Sequence, residues 1–421
     1  MGTAVTTCAR CDIDRPGEPR NACRNVDDVW GDEMTVTEAG QEGAADTGAG
    51  GAPPGRVVWN PYEPGYFADP SVQLNALREQ EAVHYIEFTG GWMVTRYEDV
   101  SALLRDRSVG STIANATSTP TVEAERAQLA QDPAGPSMLR VDGDDHTRLR
   151  RLVAKAFTPR AIERWQQRAT EITDELLDGI ADAGGGDALG ELALPLPATV
   201  ISDMLGMPSG DLALLRSWSH AMAKTLDAVN TDEERQRAVD AALAMDEYLR
   251  VIHVRKETDP GDDIFSALIA AEHEGDKLTH DEVISNIKLL YVAGHETTTN
   301  LIGNALVELF RHPDQMELLR RTDEHDANLV EETLRYNPSV QMTRRIPAHE
   351  IAVADTTIPG GSVVLLNAAS ANRDPRKFGD TADRYDITRP DASDQVAFGG
   401  GPHFCLGAAL ARLEGSIAVP R

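Results

Sequence analysis

A single cysteine near the end of the chain lies in a setting that favours metal chemistry. Residues 398–407 read Phe-Gly-Gly-Gly-Pro-His-Phe-Cys-Leu-Gly, and the cysteine is Cys405. The glycines let the backbone approach a flat group closely. The apolar run from Ala408 to Leu413 predicts a helix, so Cys405 comes just before a helix N-terminus, where the dipole favours an anion. We therefore expect a thiol that ionises easily and binds metal as a thiolate.

Cys405 alone would leave most of the coordination shell of a metal unfilled. A macrocycle that supplies the other ligands solves this problem, and a haem held by a cysteine thiolate fits. The alternative is a glycine-rich turn around a buried, unreactive cysteine, which is the ordinary fate of a lone cysteine. The spacing alone leaves both interpretations open.

A second set of reactive residues lies in the middle of a long predicted helix. The capping box Thr279-x-x-Glu282 marks its start, and apolar periodicity runs until His312-Pro313. That is about 32 residues, or roughly 48 Å at helical rise. Residues 293–299 read Ala-Gly-His-Glu-Thr-Thr-Thr, a run of poor helix formers that predicts a local break. The break is either a tolerated kink with threonine hydroxyls bonded to carbonyls or a functional groove.

Two further pairs of charged residues are spaced for one helix face. His146 and Arg150 are four apart on a helix predicted over residues 146–157, and Glu332 and Arg335 are three apart on another. Taken alone, the first pair indicates a solvated basic helix and the second a surface ion pair of little energetic value.

The four motifs together resemble those of the cytochrome P450 family, in the same order along the chain. The haem-binding loop of the family, Phe-Gly-x-Gly-x-His-x-Cys-x-Gly, is matched by Phe398, Gly399, Gly401, His403, Cys405 and Gly407. The oxygen-activation groove is matched by Ala293, Gly294, Glu296 and Thr297, and the Glu-x-x-Arg pair by Glu332 and Arg335. The resemblance covers about residues 56–421.

The resemblance implies a fold that is mainly α with small β-sheets (α+β), with the long helix crossing the haem. It implies Cys405 as the iron ligand, Thr297 as the catalytic hydroxyl and Glu296 as the acid that relays protons. His146, Arg150, Arg345 and His403 would bind the propionates. The cofactor would be haem b, and the residues expected to contact it are His146, Arg150, Ala293, Gly294, Arg345, Phe398, Gly399, His403, Cys405 and Gly407.

The activity implied by the resemblance is that of a monooxygenase. It would activate O2 and insert one oxygen atom into a small hydrophobic organic substrate. Electrons would come from NAD(P)H through a ferredoxin and its reductase, because no Rossmann or flavin-binding fingerprint occurs in the chain. Two alternatives are a peroxygenase that uses H2O2 and a haem-binding sensor without turnover. The pair Glu296-Thr297 favours the monooxygenase.

The charge and the apolar runs of the chain limit the kinds of partner that it can bind. The net charge of −28 argues against nucleic acid and anionic membrane surfaces. No apolar run reaches the ~18 residues of a membrane span, and no signal-peptide pattern occurs at the N-terminus. We expect a cytoplasmic monomer. The stretch from Arg148 to Arg160 holds five basic residues and no acid. It predicts a docking face for an acidic ferredoxin, the alternative being a solvated helix.

The remaining predictions concern the ends and connections of the chain. Residues 1–55 are rich in glycine, alanine and acids, which predicts a disordered tail whose cysteines lack a fourth metal ligand. Residues 56–421 are predicted to form one domain that stops 16 residues after Cys405, so the usual C-terminal hairpin would be missing. Residues 108–137 are predicted to form a loop. Residues 351–354 and 362–366 are predicted to be two strands of one small sheet.

Overall fold

The computed structural model describes residues 56–224, 231–273 and 278–421. The predicted tail over residues 1–55 lies outside the described residues. Val57–Arg421 form one compact unit. No helix in the three described ranges is both long enough and apolar enough to cross a membrane.

Helices provide most of the regular structure. In chain order among the described residues they are α1 (Ser71–Gln80), α2 (Tyr97–Arg105), α3 (Pro120–Leu129), α4 (Gly143–Ala154), α5 (Pro159–Glu163), α6 (Gln166–Asp182), α7 (Pro195–Leu205), α8 (Leu212–Ala223), α9 (Asp232–Thr258), α10 (Ile264–His273), α11 (His280–Arg311), α12 (Pro313–Arg321), α13 (Asp326–Tyr336), α14 (Ala368–Ala371), α15 (Pro375–Phe378) and α16 (Ala408–Ala418).

The strands of the described residues form two small sheets. They are β1 (Val83–Ile86), β2 (Gly91–Val94), β3 (Val109–Gly110), β4 (Met342–Pro347), β5 (Ile351–Val353), β6 (Thr356–Ile358) and β7 (Val364–Asn367). The larger sheet has the order β1-β2-β7-β4-β3, in which only the pair β2 and β7 is parallel. The smaller sheet pairs β5 with β6. The predicted class, mainly α with small sheets, is confirmed.

The prediction that residues 351–354 and 362–366 share one small sheet is wrong. The first segment turns back at once, so that β5 pairs with β6, while β7 joins the larger sheet between β2 and β4. Both segments carry strand-forming residues, but the sequence does not show which partner each strand takes.

The predicted loop over residues 108–137 contains a helix, α3. Thr119 caps it by accepting a hydrogen bond from the amide of Val122, and Pro120 occupies its first turn. Val122 is the one residue of α3 that is buried. An apolar stripe is therefore almost absent, which is why periodicity does not reveal this helix.

The long helix α11 has the predicted length and start. It spans 32 residues, and the capping box between Thr279 and Glu282 is present. The predicted break in its middle is wrong, because the helix is continuous. The hydroxyls of Thr297 and Thr298 donate to the carbonyls of Ala293 and Gly294, at 2.9 and 3.3 Å. These bonds satisfy the polar side chains without interrupting the backbone.

Candidate active site

The loop before α16 holds Cys405 in place through its own backbone. The amide of Cys405 donates to the carbonyl of Phe398 at 2.8 Å, which closes the loop. Gly401 has φ +62°, and a Cβ there would lie 2.6 Å from the carbonyl oxygen of Leu104 at the end of α2. The conformation and the close approach both require glycine at this position. Cys405 precedes the helix N-terminus as predicted, with Gly407 at the N-cap position of α16.

The pKa of the Cys405 thiol differs from the prediction. Burial raises it, although backbone hydrogen bonds from Gly407 and Ala408 and the charges of Arg150 and Arg412 act in the opposite direction. The sequence indicates the helix N-terminus but not how deeply Cys405 is buried. In the protein without a bound metal, burial has the larger effect on the pKa of the thiol.

Polar and charged side chains surround this loop. The guanidinium of Arg150 on α4 donates to the carbonyl of Phe404 at 2.6 Å. The rings of His146 and His403 lie 4.2 Å apart between centroids. Burial lowers the pKa of His146 to about 4, with smaller contributions from His403 and Arg150. The structure therefore brings two of the predicted binding residues, His146 and Arg150, to the loop that carries His403 and Cys405.

Asp142 is a member of this group that the sequence motifs miss. Its carboxylate accepts hydrogen bonds from the amides of Ser111 and Thr112, and it lies 2.9 Å from Nε2 of His403. Burial raises the pKa of Asp142, but the His403 ring and the hydrogen-bond donors outweigh burial and hold it well below its usual range. The available signal is its position four residues before His146, at the start of the same helix.

Arg345 on β4 is buried, with 5% of its surface exposed. It donates to Thr343 Oγ1 at 3.1 Å and to the carbonyl of Arg344 at 2.8 Å. Within the described part of the chain no acidic side chain lies within ion-pair distance of Arg345 or of Arg150. Burial lowers the pKa of Arg345, and the nearby Asp142 raises it. A buried guanidinium without an acid requires an anion, so these residues fit a cofactor with carboxylate groups.

The middle of α11 offers an accessible patch in an otherwise buried region. Tyr291 and His295 are buried, whereas Ala293 between them is exposed, and Thr297 on the same face is partly exposed. Gly294 faces elsewhere, because a Cβ there would lie 2.9 Å from Ile201 on α7. The close approach of α7 explains this glycine. An open patch of small side chains fits a flat group lying against the helix.

Glu296 points toward α8 rather than toward Thr297. Its Oε1 lies 3.3 Å from Nδ1 of His220, while Oε2 is buried, without a hydrogen-bond partner among the described residues, and 3.6 Å from Nε2 of His295. His220 lowers the pKa of Glu296, and Glu296 raises the pKa of His220. The sequence does not predict a role for His220, because no motif or residue spacing in α8 indicates a functional histidine.

The Glu332–Arg335 pair is fully buried rather than on the surface. Two hydrogen bonds of 2.7 and 2.8 Å join the side chains, and Arg335 also donates to the carbonyls of Asn372, Ala382 and Arg384. Every nitrogen of the guanidinium has a partner. The pair joins α13 to the segment that leads to the Cys405 loop.

The two parts of the site lie on neighbouring elements. Leu301, one turn beyond Thr297 on α11, packs in one apolar cluster with Ala411 of α16, and Phe398 of the Cys405 loop packs against that cluster. The open patch of α11 and the loop are therefore held by the same packed helices.

Comparisons with known proteins agree with this arrangement. The family described as "Cytochrome P450" matches residues 212–324 and 327–421. Cytochrome P450 107B1 of Saccharopolyspora erythraea is 41% identical over 362 residues, which cover 84% of this chain and 87% of that protein. The P450 monooxygenase PikC of Streptomyces venezuelae is 39% identical, over 84% of this chain and 83% of that protein.

Solved structures show the same fold. The myxobacterial cytochrome P450 CYP267B1 in complex with myristic acid matches with a TM-score of 0.80 and 32% identity, over 86% of this chain and 89% of that one. P450BioI, in complex with an acyl carrier protein that carries hexadec-9Z-enoic acid, matches with a TM-score of 0.77 and 33% identity, over 84% and 91% of the two chains. This chain belongs to the cytochrome P450 family and has the haem-thiolate monooxygenase fold of its bacterial members.

Proposed function

We propose that this protein is a monooxygenase that binds haem b through Cys405 and inserts one oxygen atom of O2 into a small hydrophobic organic substrate. The observation that carries the proposal is the Cys405 loop at the start of α16, with Arg150 bonded to it and Arg345 near Asp142, neither arginine having an acid within ion-pair distance among the described residues. The haem, when bound, supplies the chemistry that activates O2. The catalytic unit is residues 56–421, and the tail over residues 1–55 is dispensable for it.

The residues around the loop would hold the haem by complementary charge. Arg150, Arg345, His146 and His403 would donate hydrogen bonds to the two propionates. Asp142 would orient His403, with which it already shares a contact of 2.9 Å. The loop at Phe398, Gly399 and Gly407 and the exposed helix surface at Ala293 would contact the ring, whereas Gly294 faces α7.

Protons would reach the site along α11. The hydroxyl of Thr297 donates to the carbonyl of Ala293, which leaves its lone pairs free to accept a hydrogen bond at the open patch. Glu296 is the relay acid, and His220, with 57% of its side chain exposed, connects that acid to solvent. The Glu296 carboxylate paired with an exposed imidazole, and the hydroxyl of the next residue, Thr297, are the chemical types that a proton relay needs.

The substrate class is argued from solved relatives. Three of the solved relatives are in complex with myristic acid, with testosterone or with an acyl carrier protein that carries hexadec-9Z-enoic acid. These ligands share an apolar body with few polar groups, and we infer a substrate of that kind for this chain.

Electrons would come from NAD(P)H through a reductase and an acidic ferredoxin that docks on α4 and α5. Arg151, Lys155 and Arg160 are exposed there, whereas Arg148 is bound by Glu282 and Asp145 and is less available. A local basic surface on a chain of net charge −28 would steer an acidic partner to this face.

Turnover in ¹⁸O₂ tests the proposal. Candidate substrates are first chosen by the spin-state shift that they cause in the haem. The chain is then supplied with NADPH, a bacterial ferredoxin and its reductase. The expected result is one ¹⁸O atom per product molecule. Product that carries oxygen from water contradicts oxygen insertion.

The same assay separates the alternatives. A peroxygenase would form product with H2O2 faster than with the redox proteins. A sensor would bind substrate and accept electrons but form no product. Neither a peroxygenase nor a sensor needs protons delivered along α11. The pairing of Glu296 with His220 therefore favours the monooxygenase over both alternatives.

A further inference from the structure

Three side chains that bind metals in other proteins meet where α9, α10 and α11 come together. They are His253 on α9, Glu272 on α10 and His280, the first residue of α11. One ligand atom of each lies within 4.8 Å of the other two. Nε2 of His253 is 3.1 Å from Oε2 of Glu272, and the two imidazole rings are 4.2 Å apart between centroids. Two imidazoles and a carboxylate form a donor set typical of Zn²⁺.

His253 is poorly satisfied as an ordinary core residue. It is 1% exposed, and its Nδ1 has no hydrogen-bond partner among the described residues. Glu257, one turn further along α9, places Oε1 3.8 Å from that nitrogen. A small movement would let Glu257 accept the Nδ1 proton and leave the lone pair of Nε2 directed at Glu272 and His280. Carboxylates orient metal-binding histidines in this way.

The charges of the cluster suit a cation. Glu272 and Asp281 place negative charge beside His280, against the positive charge of Arg250. Arg250 pairs with Asp281 at 2.6 Å, which offsets its positive charge. Neutral imidazoles and an ionised carboxylate are the states that metals bind.

The distances are close to those of a bound ion. Ligand bonds of about 2.0–2.2 Å in a tetrahedral site set the donor atoms about 3.3–3.6 Å apart. Side-chain rotations are enough to reach this spacing from separations of at most 4.8 Å. We propose that His253, Glu272 and His280 form a Zn²⁺ site, with water as the fourth ligand.

The site is structural rather than catalytic. His280 and Thr297 are 17 residues apart on α11, or about 25 Å at helical rise. A bound ion would join α9 and α10 to the first turn of the helix that carries Glu296 and Thr297. It would therefore stabilise the folded protein without taking part in oxygen chemistry.

Zinc titration of the haem-loaded full chain tests the proposal. Cys8, Cys11 and Cys23 are replaced by serine, because their thiols would bind zinc themselves. After treatment with a chelator, calorimetry should show one tightly bound Zn²⁺ per chain. His280→Gln should weaken binding at least 100-fold, and His349→Gln, a control at an exposed histidine, should not change it. Zinc should raise the melting temperature of the parent but not of His280→Gln.

Glu272→Gln keeps the shape of the side chain and serves if His280→Gln does not fold. X-ray absorption at the zinc edge should show only nitrogen and oxygen ligands, with two imidazoles. The proposal fails if both variants bind zinc as tightly as the parent, if the parent binds none, or if sulfur ligates the metal. The three side chains would then be a hydrogen-bonded cluster only.

Discussion

The acidic side chains on the two sides of the site differ in how completely they are hydrogen-bonded. On the cysteine side, Glu332 is buried against Arg335 and Asp142 accepts hydrogen bonds from two amides. On α11, Glu296 has one carboxylate oxygen paired with the exposed His220 and the other without a hydrogen bond in the part of the chain that the structure describes. A carboxylate whose hydrogen bonds are all made holds a fixed geometry, whereas a carboxylate near solvent with an unbonded oxygen can exchange protons. The cysteine side thus suits holding a cofactor and the α11 side suits chemistry.

The largest expected effect is the loss of stability on removing a buried, fully hydrogen-bonded carboxylate. Glu332→Ala leaves the Arg335 guanidinium buried without its carboxylate, so we expect the free energy of unfolding to fall by about 3–5 kcal/mol. Glu317→Ala is the matched control, because Glu317 pairs with Arg321 at 3.0 Å on the exposed surface of α12. It should cost less than about 1 kcal/mol. Urea unfolding of both variants measures the difference, and equal losses would remove the distinction between the two kinds of pair.

Changing the α11 side should alter chemistry without altering stability much. Thr297→Ala should keep haem and substrate binding, but product formed per NAD(P)H should fall about 10-fold. This is less than the roughly 100-fold or more that positioned proton donors contribute, because water still reaches the patch. The lost electrons should appear as H2O2. Thr298→Val is the control, since Thr298 makes the same kind of bond to a carbonyl but is buried. Unchanged coupling in Thr297→Ala would mean that another group positions the proton.

The His220–Glu296 pair predicts a pH dependence. Glu296 raises the pKa of His220, so the charged pair is complete below the ordinary pKa of histidine and is lost as pH rises through the raised value. Coupled turnover should fall a few-fold over that range. His295 also faces Glu296, and Lys224 acts on His220, but both remain in His220→Gln. That variant should lose the alkaline decline.

Proton NMR of the histidine rings provides the readout that does not depend on turnover. One ring with a raised pKa should be present in the parent and absent in His220→Gln. His349→Gln, at an exposed histidine outside the site, should retain it. An alkaline decline that persists in His220→Gln would assign it to another group.

The smallest expected effect is on the rate at which ferredoxin reduces the protein from the cysteine side. Arg151→Glu with Lys155→Glu should slow reduction by ferredoxin several-fold at low salt and less at high salt, because ions screen such attraction. Arg320→Glu with Arg321→Glu on α12 makes the same change in net charge elsewhere. Stopped-flow reduction at two salt concentrations measures both. If the two double variants behave alike, the basic stretch is only a solvated helix.

The sequence predicts the fold class and the position of Cys405 before a helix N-terminus because each depends on local patterns. The structure has the capping box of α11, and Gly399 and Gly401 before Cys405 adopt the positive φ that glycine allows. Helix α3 escapes prediction because Val122 is its one buried residue. The partners of β5 and β7 depend on contacts between distant segments.

The sequence misses several parts of the site for one reason, which is that they depend on contacts between residues far apart in the chain. His220 meets Glu296 across 76 positions of the chain, and Asp142 meets His403 across 261. Neither contact follows from a repeat or a spacing. The depth of Cys405 is likewise a property of the packed molecule, which is why its thiol pKa is raised where the helix N-terminus alone predicts a lower value.

The identity of the iron ligand is the central claim, and the absorption spectrum of the reduced protein under CO tests it most directly. The parent should show the red-shifted Soret band of thiolate-ligated haem, and so should a variant with alanine at Cys8, Cys11 and Cys23. Cys405→Ala should lack that band. A red-shifted band that persists in Cys405→Ala, or that disappears in the triple variant, would contradict the account.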